Sequence, residues 1–410
     1  MRLGPRKGYR GEDCDRRHLG ISVLEAARQR LTRVFDDFPL IYLSFSGGKD
    51  SGVLMHLACQ EARRRGRKIG VLFVDLEAQY QLTIAYVEEM LALYADCIEP
   101  YWVALPLNLR NAVSQYEPQW RCWEDGRQAD WVRQPAKGSI TDPTHFPWFW
   151  AGMEFEQLVD EFGHWYSQGK LCACLVGIRC DESLNRWRSI TRRKSKYEGL
   201  CWTTWKGRGL YNAYPIYDWR TRDIWIYNGV SGLPYNRLYD RMWSAGLTIG
   251  QARICQPYGD DQRRGLWLFH VIEPETWARV VARVNGANQG ALYVRERGAI
   301  LGYGKVSKPP HLTWEAFSQL ILSSLPDKVA DHYRDKIAVF IRWYQTRGYP
   351  AGIPDEGPVN DKSQPSWTRI CKVLLRNDYW CKGLSFTQTK PEAYEKYKMV
   401  MQRRRSEWNL

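Results

Sequence analysis

Three glycines, a lysine, an aspartate and three serines crowd into Ser44-Phe45-Ser46-Gly47-Gly48-Lys49-Asp50-Ser51-Gly52. Glycine opens backbone conformations closed to other residues and lets a ligand approach the main chain closely. Successive amides ahead of a helix N-terminus form a cradle for an anion. Lys49 would add a full positive charge, and Ser46 and Ser51 would add short hydrogen bonds. That set suits phosphate or pyrophosphate. The order S-G-G-K-D-S departs from the Walker form, which needs four residues between its glycines and a G-K-[ST] end.

Such a cradle has to be carried on a strand and a helix. Residues 40–45 are a short apolar run that the glycines stop, and from Ser51 the residues Val53, Leu54, Leu57 and Ala58 recur on one helical face, with Gly66 as a stop. Ahead of them, Ser22-Val23-Leu24-Glu25 has the form of a capping box for a helix over 22–36. A second strand follows at 68–75, with an acid at its C-terminal end. Then come a helix at about 79–95 and a strand at about 97–105. The segment 106–150, dense in Trp, Pro and charge, reads as an insertion or lid. Helical spacing returns at 153–168, a buried strand at 171–179, and a further strand and helix in "YNAYPIYDW" and "TRDIWIY". The alternation predicts an α/β fold: a Rossmann-like parallel sheet with helices on both faces. Beyond about 255 the pattern turns helical, at 274–285, 313–325, 328–347, 366–377 and 391–405. The expected domains are therefore a helical segment over 1–37, a nucleotide-binding domain over 38–255 and a helical domain over 256–410.

Length and composition bound the class. The 410 residues carry a formal net charge of +14 and 20 tryptophans. A basic, aromatic-rich chain suits a polyanionic partner such as DNA or RNA, and equally suits an aromatic core under a solvated basic surface. No apolar run approaches the ~18 residues of a membrane-spanning helix. The basic start lacks an apolar signal region, and the 11 cysteines are odd in number and irregular in spacing. These features give the expectation of a cytoplasmic protein without a membrane partner.

The stretch "SGGKDS" resembles the pyrophosphate-loop motif of the adenine nucleotide alpha hydrolases, and in particular of the phosphoadenylylsulfate (PAPS) reductase family. "VLFVDLE" (71–77) is similar to that family's second strand, "GIRCDESLNR" (177–186) to its G-x-R-x-x-E-S-x-x-R stretch, and "YPIYDWRTRDIWIY" with "GLPYNRLYDRMWSAG" (214–246) to its P-I-x-x-W and L-P-Y-N-x-L-Y segments. "FVDLEAQY", "RICQPYGDDQRRGLWLFH" and the Trp-rich C-terminal third resemble a branch that includes immunoglobulin-binding-regulator A proteins, typically encoded beside a ParB-like partner. The resemblance implies a site for ATP or a related adenine nucleotide, with Mg²⁺, built from Ser44, Ser46, Gly47, Gly48, Lys49, Asp50, Ser51, Asp75 and Gly177. In it the Gly47 and Gly48 amides and Lys49 would stabilise a leaving pyrophosphate, and Ser46 and Ser51 would orient its oxygens. Asp50 would hold Mg²⁺ through water, and Asp75 would meet the ribose or the metal. Arg179 and Arg186 would clamp anionic oxygen, with Glu182 fixing one of them.

The chain departs from the reductases where their thiol chemistry lies. It lacks the C-terminal E-C-G-x-H segment, ends in "SEWNL", and has its last cysteine, Cys381, in "DYWCKGLSF". It also lacks the Cys-Cys pair and later C-x-x-C of the iron–sulfur version, so no iron–sulfur cluster is expected. At the family's I-G-C position stand Ile249-Gly250-Gln251. Cys172-x-Cys174 with Cys180 reads as buried structural thiols or as a metal cluster. Cys255 has charged neighbours but no identifiable base, and Asp260 and Asp261 read as metal ligands, a base or a helix cap. Arg186, Arg188, Arg192, Arg193, Lys194 and Lys196, mixed with Trp187, Tyr197, Trp202 and Trp205, read as a nucleic-acid surface or as a solvated face. Three functions fit this pattern. The first is cleavage of an adenine nucleotide at its α-phosphate to adenylate or thiolate an acceptor. The second is sulfonucleotide reduction with relocated cysteines, and the third is a non-catalytic nucleotide-sensing regulator.

Overall fold

A computed structural model describes residues 20–114, 116–191, 195–254, 258–259, 266–284, 286, 307–357 and 364–384. The chain divides into two compact units, one of Met1–Val74, Tyr86–Trp102 and Asp160–Asn236, the other of Asp75–Ala85, Val103–Val159 and Arg237–Leu410.

The first unit is built on a six-stranded sheet. Its strands are β1 (Leu40–Ser44), β2 (Ile69–Val74), β3 (Ile98–Val103), β6 (Cys172–Val176), β7 (Thr203–Gly207) and β8 (Leu210–Ala213), in the order β3-β2-β1-β6-β8-β7. All six residues of β2 are buried, as are Ile41, Tyr42 and Leu43 of β1 and Cys172 to Leu175 of β6. Such unbroken apolar runs belong to parallel strands covered on both faces. β1 runs parallel to β2 and to β6, and β6 runs parallel to β8. The chain thus leaves β1 toward β2 on one side and returns as β6 on the other. The loops after β1 and β6 therefore open at the C-terminal ends of neighbouring parallel strands, where open sheets of this kind leave a crevice.

Helix α1 (Val23–Asp37) starts as the capping box predicts, with the Glu25 amide donating to Ser22 Oγ at 3.1 Å. Its Arg30 grips the Asp218 carboxylate with both terminal nitrogens, at 2.8 and 2.6 Å. Helix α2 (Lys49–Arg64) begins two residues earlier than the apolar spacing predicts, because Gly48 in extended backbone serves as its N-cap. Helices α3 (Gln81–Leu93), α4 (Phe155–Ser167), α5 (Leu184–Thr191) and α6 (Thr221–Ser231) follow in chain order.

The sheet is not wholly parallel. β7 pairs antiparallel with β8 at one edge, inside a stretch that reads from sequence only as a basic and aromatic run. Its Thr203 and Thr204 are buried at 0% and 2% exposure. The Trp205 amide donates to Ser195 O at 2.9 Å, so the incoming chain covers the strand's outer side there.

In the second unit the Trp-rich insertion carries an antiparallel pair, β4 (Asn108–Arg110) and β5 (Gln119–Arg121). Helices α7 (Leu238–Ser244), α8 (Trp267–Ile272) and α9 (Pro274–Arg283) precede α10 (Trp314–Ser324), α11 (Asp327–Gln345) and α12 (Trp367–Leu375). The last three share a core that includes Tyr333, Phe340, Tyr344, Ile370 and Leu374. The helix expected at 391–405 lies outside the described residues. Among the described residues, no helix is long and apolar enough to cross a membrane.

His56 of α2 is fully buried, with Nδ1 2.6 Å from the Tyr94 hydroxyl and Nε2 2.8 Å from Pro234 O. A carbonyl only accepts, so Nε2 carries the proton and Nδ1 accepts from Tyr94 in the neutral ring. Burial lowers the His56 pKa below its ordinary value. Because the unfolded chain then takes up the proton more readily, stability is full above about pH 6.5 and falls as pH drops below it. Urea unfolding from pH 8 down to pH 5 should show this decline, by up to about 1.4 kcal/mol per pH unit. His56→Gln should flatten it, and an unchanged slope in the variant would exclude His56 as its source.

Candidate functional site

The loop between β1 and α2 is shaped by its own side chains. Gly47 takes φ +70°, a conformation glycine adopts freely. Ser51 Oγ donates to Gly48 O at 3.1 Å, accepts from the Ser46 amide at 3.3 Å and lies 3.0 Å from Ser46 Oγ. Buried Asn236 donates through Nδ2 to Gly47 O at 2.9 Å. No side chain caps the start of α2, where Gly48 precedes Lys49. Ser44 closes β1, and its backbone leads directly into this turn.

The loop after β6 packs against that turn. A β carbon on Gly177 would lie 2.9 Å from both the Ser51 N and Cα atoms and 3.1 Å from the Asp50 carbonyl carbon. Only glycine fits there. Two residues on, the Arg179 side chain is almost fully buried and donates from Nε to Asp50 Oδ1 at 2.5 Å, with Trp219 O 3.4 Å from its Nη1. Lys49 Nζ lies 3.3 Å from Asp50 Oδ2. The Asp50 carboxylate thus sits between two cations beside the positive end of a helix, and Arg179 Nη1 also lies 3.8 Å from the more exposed Asp181 carboxylate. The turn is suited to hold an anion.

The Glu182 amide donates to Arg179 O at 3.3 Å, and Glu182 leads toward Arg186 on α5. Their side chains approach each other at 3.7 Å, with Arg186 half exposed. The basic run that follows is partly spent on structure. Lys196 Nζ donates to Ile190 O at 2.5 Å, while Arg186, Trp187 and Arg188 are exposed. Arg192, Arg193, Lys194, Cys255, Asp260 and Asp261 lie outside the described residues. Cys172 and Cys174 are buried, and burial pushes the Cys174 thiol up to about 12. No group of three or more His, Cys, Asp or Glu that could hold a metal occurs among the described residues.

In the second unit the acids after β2 have partners that the sequence pattern does not announce. Asp75 is fully buried; its carboxylate pairs with Arg133 and accepts from the Glu77 amide at 3.0 Å. Glu77, also at 0% exposure, sits in left-handed backbone at φ +64°. Its carboxylate accepts from the Trp123 amide at 2.7 Å, the Val132 amide at 3.1 Å and Arg283 Nε at 2.8 Å. Trp123 Nε1 donates to Asp75 O at 2.7 Å, and the Arg133 guanidinium lies 5.2 Å from the center of the Trp123 ring. Asp75, which the family resemblance places near a ribose or a metal, here anchors the insertion together with Glu77. Asn236, Glu77, Arg133 and Arg283 carry geometry that sequence reasoning missed. Asn236 lies in "LPYN" and Glu77 closes "VLFVDLE", stretches whose motifs could have flagged them, while Arg133 and Arg283 lie in none.

The sequence signature "Phosphoadenosine phosphosulfate reductase domain" matches residues 40–257, and "Domain of unknown function (DUF3440)" matches residues 246–356. "Uncharacterized protein YbdN" of Escherichia coli (strain K12) is 46% identical over 396 residues, 96% of this chain and 97% of that one. An adenosine 5'-phosphosulfate reductase of Neisseria meningitidis serogroup A is 35% identical over 65 residues, 15% of this chain and 25% of the reductase. The crystal structure of a PAPS reductase from Candida auris, a phosphate complex, aligns with TM-score 0.30 and 14% identity over 57% of this chain and 89% of that one.

Two outcomes follow from this geometry. Gly177→Ala should displace the turn around Ser51 and abolish anion binding at the cradle, read by phosphate or nucleotide titration, while circular dichroism retains the native helix content. Undiminished binding would show that the close approach is dispensable. Glu77→Gln should cost about 3 kcal/mol in urea unfolding, because Arg283 loses its buried carboxylate partner and keeps only the half-buried Glu124 at 3.7 Å. The double variant Glu77→Gln/Arg283→Gln should recover part of that loss, and equal losses in both would locate the effect elsewhere.

Proposed function

Since the chain belongs to the phosphoadenosine phosphosulfate reductase domain family, we propose that it binds ATP or a related adenine nucleotide and cleaves it at the α-phosphate. A nucleophile on the acceptor attacks the α-phosphorus, the bond to the bridging oxygen breaks, and pyrophosphate departs into the loop before α2. One observation carries this reading. The uncapped start of α2 is flanked by buried Lys49 and by Arg179, which Asp50 holds in place. Charge that develops on the departing oxygens would meet the Gly47 and Gly48 amides and the Lys49 ammonium, donors already in place before the reaction. Ser46 shares its hydroxyl with Ser51 and would turn it toward a phosphate oxygen.

The Asp50 carboxylate faces two cations, so its first task is to position Arg179. A magnesium ion would arrive with the nucleotide's own phosphates, and Asp50 Oδ2 is the carboxylate oxygen nearest to Lys49 for it to meet through water. Arg179 orients the loop after β6 and offers charge to the α-phosphate. Arg186, exposed on α5, would reach a ligand only from the rim.

The test is product analysis with ATP labelled in the α- and γ-phosphates. The proposal expects pyrophosphate together with AMP, carried on the acceptor or released when a second nucleophile displaces it, and ADP with inorganic phosphate would overturn it. Lys49→Ala should weaken ATP binding about 10- to 100-fold in calorimetry, the loss expected for a charged hydrogen-bond donor. Unaltered affinity would remove Lys49 from the site.

A further inference from the structure

From the rim of the cradle a basic and aromatic strip runs down the first unit to the far end of β7. Arg186, Trp187 and Arg188 are exposed on α5, which follows the loop that carries Arg179, and Trp187 keeps 46% of its surface in solvent. Lys196 Nζ donates to Ile190 O at 2.5 Å and the Trp205 amide donates to Ser195 O at 2.9 Å, so the end of α5 lies close to β7. Trp205 is 48% exposed, and its partner across the β7–β8 pair, Tyr211, packs on Tyr197 and Phe38 with ring centers 5.3 and 6.0 Å away. Since β8 runs parallel to β6, the turn that joins β7 to β8 lies at the end of the sheet opposite the cradle. Arg208 occupies that turn in left-handed backbone at φ +47°, between Gly207 and Gly209. Asparagine or glycine suits such a position, and a long side chain held there points to a use for it.

The acids of the strip already face cations. Asp181 lies 3.8 Å from Arg179, Glu182 3.7 Å from Arg186 and Glu198 2.5 Å from Arg33. Lys206 is likewise matched, to Asp160 at 2.7 Å. Arg188 and Arg208, both exposed, have no hydrogen-bond or ion-pair partner among the described residues. Two uncommitted guanidinium groups thus alternate along the strip with two half-exposed indoles. Guanidinium groups neutralise phosphates, and an indole stacks on the face of any base that pairing and stacking leave open. We propose that the strip binds single-stranded nucleic acid, with Arg188 and Arg208 on phosphates and Trp187 and Trp205 on unpaired bases. The strand is then the acceptor in the cleavage proposed above. That role rests on the cleavage reading; the binding itself does not.

The experiment follows the fluorescence anisotropy of labelled oligo-dT, labelled oligo-U and a labelled DNA duplex with the full chain, without nucleotide, over a series of salt concentrations. Binding of either single strand more tightly than the duplex is expected, and the tighter of the two identifies the sugar. Trp187→Ala and Trp205→Ala should each weaken that binding at least about 5-fold with the salt slope unchanged. Arg188→Ala and Arg208→Gly should each lower the slope of log affinity against log salt by about 1. No binding at the lowest salt, equal affinity for the duplex, or tryptophan variants that bind as the wild type does would overturn the proposal. The last of these would leave only a general polyanion surface. Should a tryptophan variant fail to fold, the arginine slopes and the duplex comparison still decide. Because no nucleotide is present, failure here leaves the test by AMP and pyrophosphate standing, and failure of that test leaves strand binding to be judged separately.

Discussion

The first unit depends on the carboxylate of Asp50. It lies in the opening turn of α2, takes the Arg179 guanidinium from the loop after β6, and faces Lys49 across 3.3 Å. Two loops that leave neighbouring parallel strands are thereby fastened to each other through charge. The contact is close because Gly177 has no side chain to hold them apart. Asn236 adds a buried tie from the "LPYN" segment to Gly47, and His56 links the same segment to α2 through Pro234. Residues from three separate stretches of chain thus meet around one turn of helix. Their mutual support fixes the shape of the turn before α2.

Much of this was readable in advance. β1, α2 and β2 announce themselves through apolar runs, helical spacing and glycine stops, and the capping box at Ser22 holds in the structure. Other features were hidden for physical reasons. Helix α2 starts at Lys49 because an extended glycine caps it, and apolar periodicity cannot register a cap without a side chain. β7 escaped because its sequence, Thr-Thr-Trp-Lys-Gly, is polar; as an edge strand it buries its threonines while Trp205 stays exposed. The pairs Asp75–Arg133 and Glu77–Arg283 join residues 58 and 206 positions apart. No local pattern can foretell which distant arginine a buried acid will meet.

Those pairs also alter the reading of the Trp-rich segment. A lid needs a loosely held segment, but this one is bonded through the Trp123 and Val132 amides and Arg133 to acids with no solvent exposure. Breaking a buried ion pair is far more costly than breaking one at the surface. Arg283, at the end of α9, belongs to the same network, so a helix far along the chain helps to hold the insertion. Asn377 continues the pattern by donating to Ser114 O at 2.9 Å. The insertion is a built part of the second unit.

The flanks of the six-stranded sheet have a bearing on how copies of this chain behave in a crowd. At one side β3 carries Pro100, which has no amide hydrogen to offer. At the other the Trp205 amide of β7 is already taken by Ser195. A foreign strand arriving at either border finds an interrupted ladder, and open borders are where sheets recruit one another into aggregates. Each border of this sheet therefore offers an incoming strand at least one position with no free amide.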